Sequence, residues 1–418
     1  MKKLVFTALV VMIGLFPTSS ALCKSFPKEL NGTMMPYDFS NGDTVVPWGE
    51  DMEPVFLNYV ARHGARFLSS EKKVAGLKRE LQTASGEGYL SEKGGQFLRV
   101  LQMVDSVTAG NWGALNSVGI SEEKLLGREM ASIAPELLKK GGIDAVSTYV
   151  PRVVMTMYEL CHELARYSSD LEINTSEGRE NNPLLRFFNT DSAYVAYLSD
   201  GAWKTDYDAF SRKHLPAAPA QSMFSKPMPE ERMRKLTLEM YDVLQSLPAA
   251  ELPWTPEIWF SEEEYRDCWE VDNLKHYYQR SGDIRLRLPQ ESAAPLLRDI
   301  MTSTDEILAA GESDDDNRTI RQVGRLRFGH AETVMPLFSL MRLPGCYLPE
   351  SSADRVACGW KDWEVSPLGA NLLIVVLKDR DREAFISMRL NGKWVEKNGR
   401  KVFPWKDVKE EWEDYLRL

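Results

Sequence analysis

The clearest pattern in the chain is a short, mainly apolar run, Val55 to Val60, that ends abruptly at Ala61-Arg62-His63-Gly64. Such a run, rich in β-formers and stopped by glycine, predicts a strand that delivers His63 to a loop. Before it, residues 22–52 show no sustained period and read as an extended leader. Apolar residues at helical spacing over Lys93 to Val107 and Glu122 to Lys140 predict helices, the second capped by Ser121. Ile143 to Tyr149 reads as a second strand and Val153 to Tyr167 as the helix after it. From about 168 to 310 the pattern changes to helical segments rich in Trp, Tyr, Pro and charge, such as Glu230 to Leu247 and Ser261 to Arg280, with no strand alternation. Gln322 to Phe328 then forms another strand, ending at Gly329-His330-Ala331-Glu332, with Thr333 to Met341 as a helix. Leu372 to Leu377 and Phe385 to Leu390 complete the strands, and Asn391-Gly392 is a hairpin-turn dipeptide.

The strand-then-histidine pattern therefore occurs twice, once near each end. The simplest layout is an α/β core with a mainly parallel sheet flanked by helices and built from residues 22–167 and 311–418. The helical stretch 168–310 is inserted as a cap over the strand ends, where open α/β sheets place their ligands.

The first residues change the picture of the compartment. Met1-Lys2-Lys3, an apolar run from Leu4 to Phe16 and the small-residue exit Pro17 to Ala21 have the form of a secretory signal over residues 1–21. The run is too short to span a bilayer, so the mature chain is expected to be exported, to a bacterial periplasm, with no transmembrane segment. A lipid anchor on Cys23 is the alternative, disfavoured by Leu22 where a small residue is needed. In an oxidising compartment Cys346 and Cys358 could clip the loop between them, or all five cysteines stay free.

Of 418 residues, 43% are hydrophobic and 27% charged, an ordinary globular balance, and the net charge of −10 excludes a general nucleic-acid binder. An anionic ligand must then find a local basic pocket. Arg62-His63-Gly64-Ala65-Arg66 offers one: guanidinium forks match phosphate oxygens, and flanking positive charge keeps an imidazole neutral and nucleophilic. Alone, the tripeptide is as compatible with chance, and His330-Ala331-Glu332 alone with an ordinary helix start; the pairing makes the chemical reading. In it His330 would bind phosphoryl oxygen and Glu332 would protonate the leaving group. Five histidines without metal-ligand spacing make a zinc site improbable. Cys161-His162 reads as helix packing, Asp272 and His276 as a helix-face pair, and residues 312–316 as a solvated acidic loop.

With these residues in view, the sequence resembles the histidine acid phosphatase superfamily, and more closely the multiple inositol polyphosphate phosphatases. That branch carries His-Ala-Glu where other members have His-Asp. Leu115 to Gly119, Leu126 to Arg128, Ser147 to Arg152 and Pro367 to Leu372 support the likeness, and in the cap only Trp269 through Tyr278 does. Leu68 stands where the family has proline. The resemblance implies a phosphoglycerate mutase-like core, His63 as the nucleophile that becomes phosphohistidine, and Glu332 as proton donor. It assigns phosphate binding to Arg62, Arg66, Arg152 and His330, with no metal and no cofactor. The implied substrate is an inositol polyphosphate such as phytate, taken by a monomer. Arg186, Lys213, Lys275 and Arg280 are candidates for meeting the outer phosphates. A phosphatase for sugar phosphates and a non-catalytic surface binding protein are the competing readings.

Overall fold

A computed structural model describes residues 26–282, 285–310 and 321–417. The expected signal segment, Cys23 and the acidic run 312–316 lie outside the described residues.

Eight strands form one sheet in the order β3-β2-β4-β1-β5-β6-β7, with β8 beside β6. β1 (Met52–Arg62), β2 (Lys140–Ser147), β3 (Asp170–Ser176) and β4 (Gln322–Gly329) run parallel. β5 (Asn371–Asp379), β6 (Ala384–Leu390), β7 (Lys393–Trp394) and β8 (Phe403–Pro404) add an antiparallel side. The α/β class inferred from the sequence is the observed one. β1 is buried from Val55 to Arg62 and mostly apolar there because both its faces are covered. On one face Leu57, Tyr59 and Ala61 pack with Met130, Met157 and Leu160 of α3 (Ser117–Ile133) and α4 (Pro151–Tyr167). On the other, Phe56 and Val60 join the cluster of helices Ala294–Ala309, Ala331–Leu340 and Trp405–Arg417.

Several expectations change. β3 falls inside the stretch expected to be wholly helical; at this sheet edge only Leu171 is buried and Ile173 half-buried, so its alternation is only two apolar positions long. α3 is capped by Asn116, whose Oδ1 accepts from Gly119 N at 3.1 Å, while Ser121 Oγ is inside the helix and donates to the Ser117 carbonyl. Glu122 to Lys140 is not one helix: α3 ends at Ile133 and β2 begins at Lys140. Cys346 and Cys358 form no clip, since both are free thiols, as are Cys161 and Cys268. Asn391 and Gly392 do make the hairpin turn, both with positive φ (45° and 84°) as a type I′ turn requires. Helical elements fill most of the chain between β3 and β4, notably Glu230–Leu244 and Glu262–His276, the latter under a Ser261/Glu264 capping box. No helix among the described residues is long and apolar enough to cross a membrane.

Candidate active site

Parallel pairing of β1 with β4 sets Arg62 opposite Gly329, so the next residues, His63 and His330, leave the sheet side by side. Their rings lie 5.8 Å apart, edge to face. Backbone bonds fix the exit: His63 N donates to the Gly329 carbonyl at 3.1 Å, and Gly369 N to the His63 carbonyl at 3.0 Å. The loop that follows lacks the rigidity of a proline at Leu68, and it is instead tied to residues 113–116. Asn116 N donates to the Ala65 carbonyl, Phe67 N to that of Ala114 and Gly113 N to that of Leu68.

Glu122 completes the loop from below. Its carboxylate accepts Ala65 N at 2.7 Å and Tyr37 N at 2.9 Å. Gly119, one turn earlier on α3, has no room for a side chain, because a Cβ there would stand 2.2 Å from the Ala65 carbonyl oxygen. Gly329 is required for the same reason, with Thr333 Oγ1 at 2.5 Å from its missing Cβ. That hydroxyl accepts His330 N at 3.0 Å and donates to the Leu185 carbonyl, which fixes the start of helix Ala331–Leu340.

Beside Glu122, Glu123 is fully buried and neither of its carboxyl oxygens has a hydrogen-bond partner. Burial, and after it the charge of Glu122, holds its pKa well above the glutamate value. The folded protein therefore keeps a proton that the unfolded chain loses as pH rises past the ordinary carboxyl range. Stability contributed by this group is fully present in acid and falls by about 1.4 kcal/mol per pH unit above that range, until the folded carboxyl itself ionises. Glu123→Gln preserves the shape and cannot ionise. Urea unfolding should find the variant more stable than the wild type at about pH 7.5, with the difference vanishing near pH 4. A gap that does not depend on pH would show that Glu123 is ionised in the fold.

His63 Nδ1 lies 2.9 Å from the Gly64 carbonyl oxygen. A carbonyl only accepts, so Nδ1 carries the hydrogen and the Nε2 lone pair is left free to attack. Burial first, then the charges of Arg152, Arg62 and Arg66, push the His63 pKa well below that of free histidine. His330 is likewise lowered, to about 3, chiefly by burial, against the opposing pull of Glu332 and with smaller contributions from Arg152, Arg186 and Arg62. Its Nε2 stands 3.2 Å from Thr148 Oγ1.

Arg62, His63, Arg66, Arg152 and Glu332 all line one cleft of about 890 Å³ at the carboxyl ends of the parallel strands. Among the described residues, Arg62, Arg66 and Arg152 have no carboxylate within ion-pair distance, and the Nε of each is buried without a partner. Arg62 is held by the Thr33 and Ser366 carbonyls at 2.7 and 2.6 Å. Burial leads the lowering of Arg62 to about 9 and Arg66 to about 10. Three crowded, under-bonded guanidiniums around a neutral imidazole form a site for a tetrahedral oxyanion.

Glu332 is differently placed. Although burial alone would raise it, Arg280 donates to its Oε1 at 2.8 Å and, with His330 and the helix start, brings its pKa down to about 2. Its nearest partner is thus a cation, and within that pair it is a carboxylate.

The cap candidates separate. Arg280 and Lys275 line the cleft. Arg186 stacks on Tyr149 and Phe188, the latter edge-on to His330. Lys213 does not belong: it pairs with Asp354 at 2.8 Å on the surface. His276 also lines the cleft, but its bond is to Asp362, at 2.7 Å from Nδ1, rather than to Asp272 at 4.0 Å. Asp362 also accepts Trp269 Nε1 at 3.0 Å, which pins helix Glu262–His276 to the core. Thr148, Glu122, Lys72 and Lys73 are not singled out by sequence reasoning, although the two lysines follow closely on the Arg62–Arg66 loop and their charge there is a signal that could have found them.

The family description "Histidine phosphatase superfamily (branch 2)" matches residues 55–391. Among solved structures, Bifidobacterium longum multiple inositol polyphosphate phosphatase in complex with inositol hexasulfate is 16% identical with a TM-score of 0.77, over 91% of this chain and 97% of that one. The same phosphatase in complex with phosphate gives 15% and 0.74 over 93% and 98%. The phytase from D. castellii gives 14% and 0.66 over 93% and 85%. At these identities the likeness is one of fold.

Proposed function

The chain belongs to the histidine phosphatase superfamily, branch 2, and is a phosphatase of that family; from this premise we propose that it hydrolyses inositol polyphosphates, phytate above all, through a phosphohistidine. The observation that carries the substrate class is the surplus of cations in the cleft. Arg62, Arg66 and Arg152 suffice for one phosphoryl group, and Lys72, Lys73, Lys275 and Arg280 line the rest of it. Among the described residues Lys73 and Arg280 are already paired, with Asp242 and Glu332, so a monophosphate would leave Lys72 and Lys275 unused.

In the first half-reaction the Nε2 lone pair of His63 forms a bond to phosphorus, and the ester P–O bond breaks. Its electrons pass to the leaving oxygen, which takes a proton from Glu332. Arg62, Arg66, Arg152 and His330 hold the equatorial oxygens, and positioning with charge neutralisation does most of the catalytic work in such transfers. In the second half, water adds to phosphorus as the N–P bond breaks, Nε2 recovers its lone pair, and the proton of water goes to Glu332.

We read residues 168–310 as the cap, between core segments 22–167 and 311–418. The form of residues 1–21 supports export to the periplasm, and Leu22 argues against a lipid on Cys23.

The test is phosphate release by the chain lacking residues 1–21, with EDTA present, from phytate, glucose phosphate and glycerol phosphate. Phytate should be preferred by about tenfold or more in kcat/KM, the ratio expected when remote phosphates contribute binding in the transition state. Equal rates on glucose phosphate would favour the sugar-phosphate reading, and phytate binding without release would favour a binding protein.

A further inference from the structure

Glu332 can protonate a leaving oxygen only while it carries a proton, and its ion pair denies it one. Arg280 Nη2 is 2.8 Å from its Oε1. The other groups facing the carboxylate are His330 from its own helix start, Arg62 and Arg66 from the β1 loop, Arg152 from α4 and the neutral phenol of Tyr194. Of the cations, only Arg280 makes the direct contact.

The backbone that carries Arg280 is fixed. Residues Tyr277–Ser281 form a π-helical turn, an insertion that re-aims a side chain and is frequent at functional sites. Tyr194 Oη donates to the Gln279 carbonyl at 2.6 Å, Tyr197 Oη to that of Tyr278 at 2.5 Å, and Gln290 Nε2 to that of Ser281 at 3.0 Å. Gly282 closes the turn with φ 79° and its N–H on the Tyr277 carbonyl at 2.8 Å. The backbone about Arg280 is thus held by other elements, and the long side chain is held at its tip by Glu332.

We propose that Arg280 is a positioning residue that reads a second phosphate: it stays on Glu332 until a neighbouring phosphate of the substrate draws the guanidinium away, and this releases Glu332 to act on the leaving oxygen. The inference rests on the phosphatase reading above and adds a criterion for substrates, at least two phosphates on one small scaffold. A dianionic phosphate offers the guanidinium fork more charge and more acceptors than one carboxylate oxygen does. Once Arg280 has moved, the negative phosphoryl group beside Glu332 favours its protonated form. A substrate with a single phosphate leaves the Arg280–Glu332 pair closed, and a poor leaving group then departs without its proton.

Steady-state rates against pH for wild type, Arg280→Gln and Arg280→Lys, each on phytate, inositol monophosphate and p-nitrophenyl phosphate, test this. The nitrophenolate needs no proton to leave. Arg280→Gln should raise kcat on inositol monophosphate about tenfold at about pH 5 and move the basic limb of that profile upward by about one unit, while the nitrophenyl ester shows no such gain. Arg280→Lys should keep the wild-type ranking of substrates. A parallel loss on all three substrates in Arg280→Gln, or a raised KM for phytate without the gain on the monophosphate, would overturn the idea and leave Arg280 a plain structural or phosphate-binding residue. Failure of the wild type to release phosphate from any substrate would instead remove the phosphatase reading beneath it.

Discussion

His63→Ala is expected to lower phosphate release from every substrate by about 10⁴-fold or more in kcat, the scale on which removal of a covalent nucleophile is felt. No second group can replace it. His330 is the other imidazole beside the reacting phosphoryl group, and its Nε2 is turned to Thr148 Oγ1. The loss should not come from unfolding, because the bonds that fix this point of the chain are backbone bonds, from His63 N to Gly329 and from Gly369 N to His63, which alanine keeps. Nor should phosphate binding go, since Arg62, Arg66 and Arg152 remain. Calorimetric titration with inorganic phosphate ought to give a Kd within about threefold of wild type, under about 0.7 kcal/mol, beside a dead turnover assay. A variant retaining more than about one per cent of the wild-type rate would mean that attack is by water rather than by His63.

Glu332→Gln should be nearly as damaging, and selectively so. A positioned general acid contributes about 10² to 10⁴, so release from phytate, whose alkoxide is a poor leaving group, should fall by that factor. With p-nitrophenyl phosphate the first step needs no acid, and only hydrolysis of the phosphoenzyme, which uses Glu332 as base, should slow. Phosphohistidine would then accumulate and be seen as a burst of nitrophenol. The pH dependence carries a sign. His63 is held neutral far into acid, so it sets no acidic limb near the ordinary histidine value. The wild-type rate should fall as pH rises and Glu332 loses its proton in the complex, and the Gln variant should lose that limb. A wild-type rate still climbing above about pH 9 would contradict the assignment of Glu332 as acid.

How much of this is legible in the amino-acid sequence varies with the physics. The two strand-to-histidine junctions are open to view because β1 and β4 are buried on both faces and the chain meets a glycine at the end of each. Their adjacency follows from the α/β layout. β3 is faint because its alternation rests on two apolar positions, Leu171 and Ile173, in an edge strand. α1 (Glu71–Gly86) is there to be read: Ser70 caps it, and Val74, Leu77, Leu81 and Ala84 lie on one face. Glu122 is illegible in principle. A glutamate within a helix looks solvent-facing, and the N–H groups it serves are 57 and 85 residues away. The contact of Arg280 with Glu332 is out of reach for a similar reason: sequence brings both residues to one cleft but does not say that the acid is met by a base.

The pairing of β1 also bears on how the chain is made. Both of its neighbours, β4 and β5, come from the last quarter of the sequence, and until they arrive β2 has only β3 beside it. A nascent chain that has passed residue 310 therefore carries its most apolar strand with two open edges, the arrangement most exposed to mispairing. Such long-range closure makes for slow folding. Because His63 and His330 meet only in the pairing of β1 with β4, the first turnover by a refolding molecule marks the joining of those two strands.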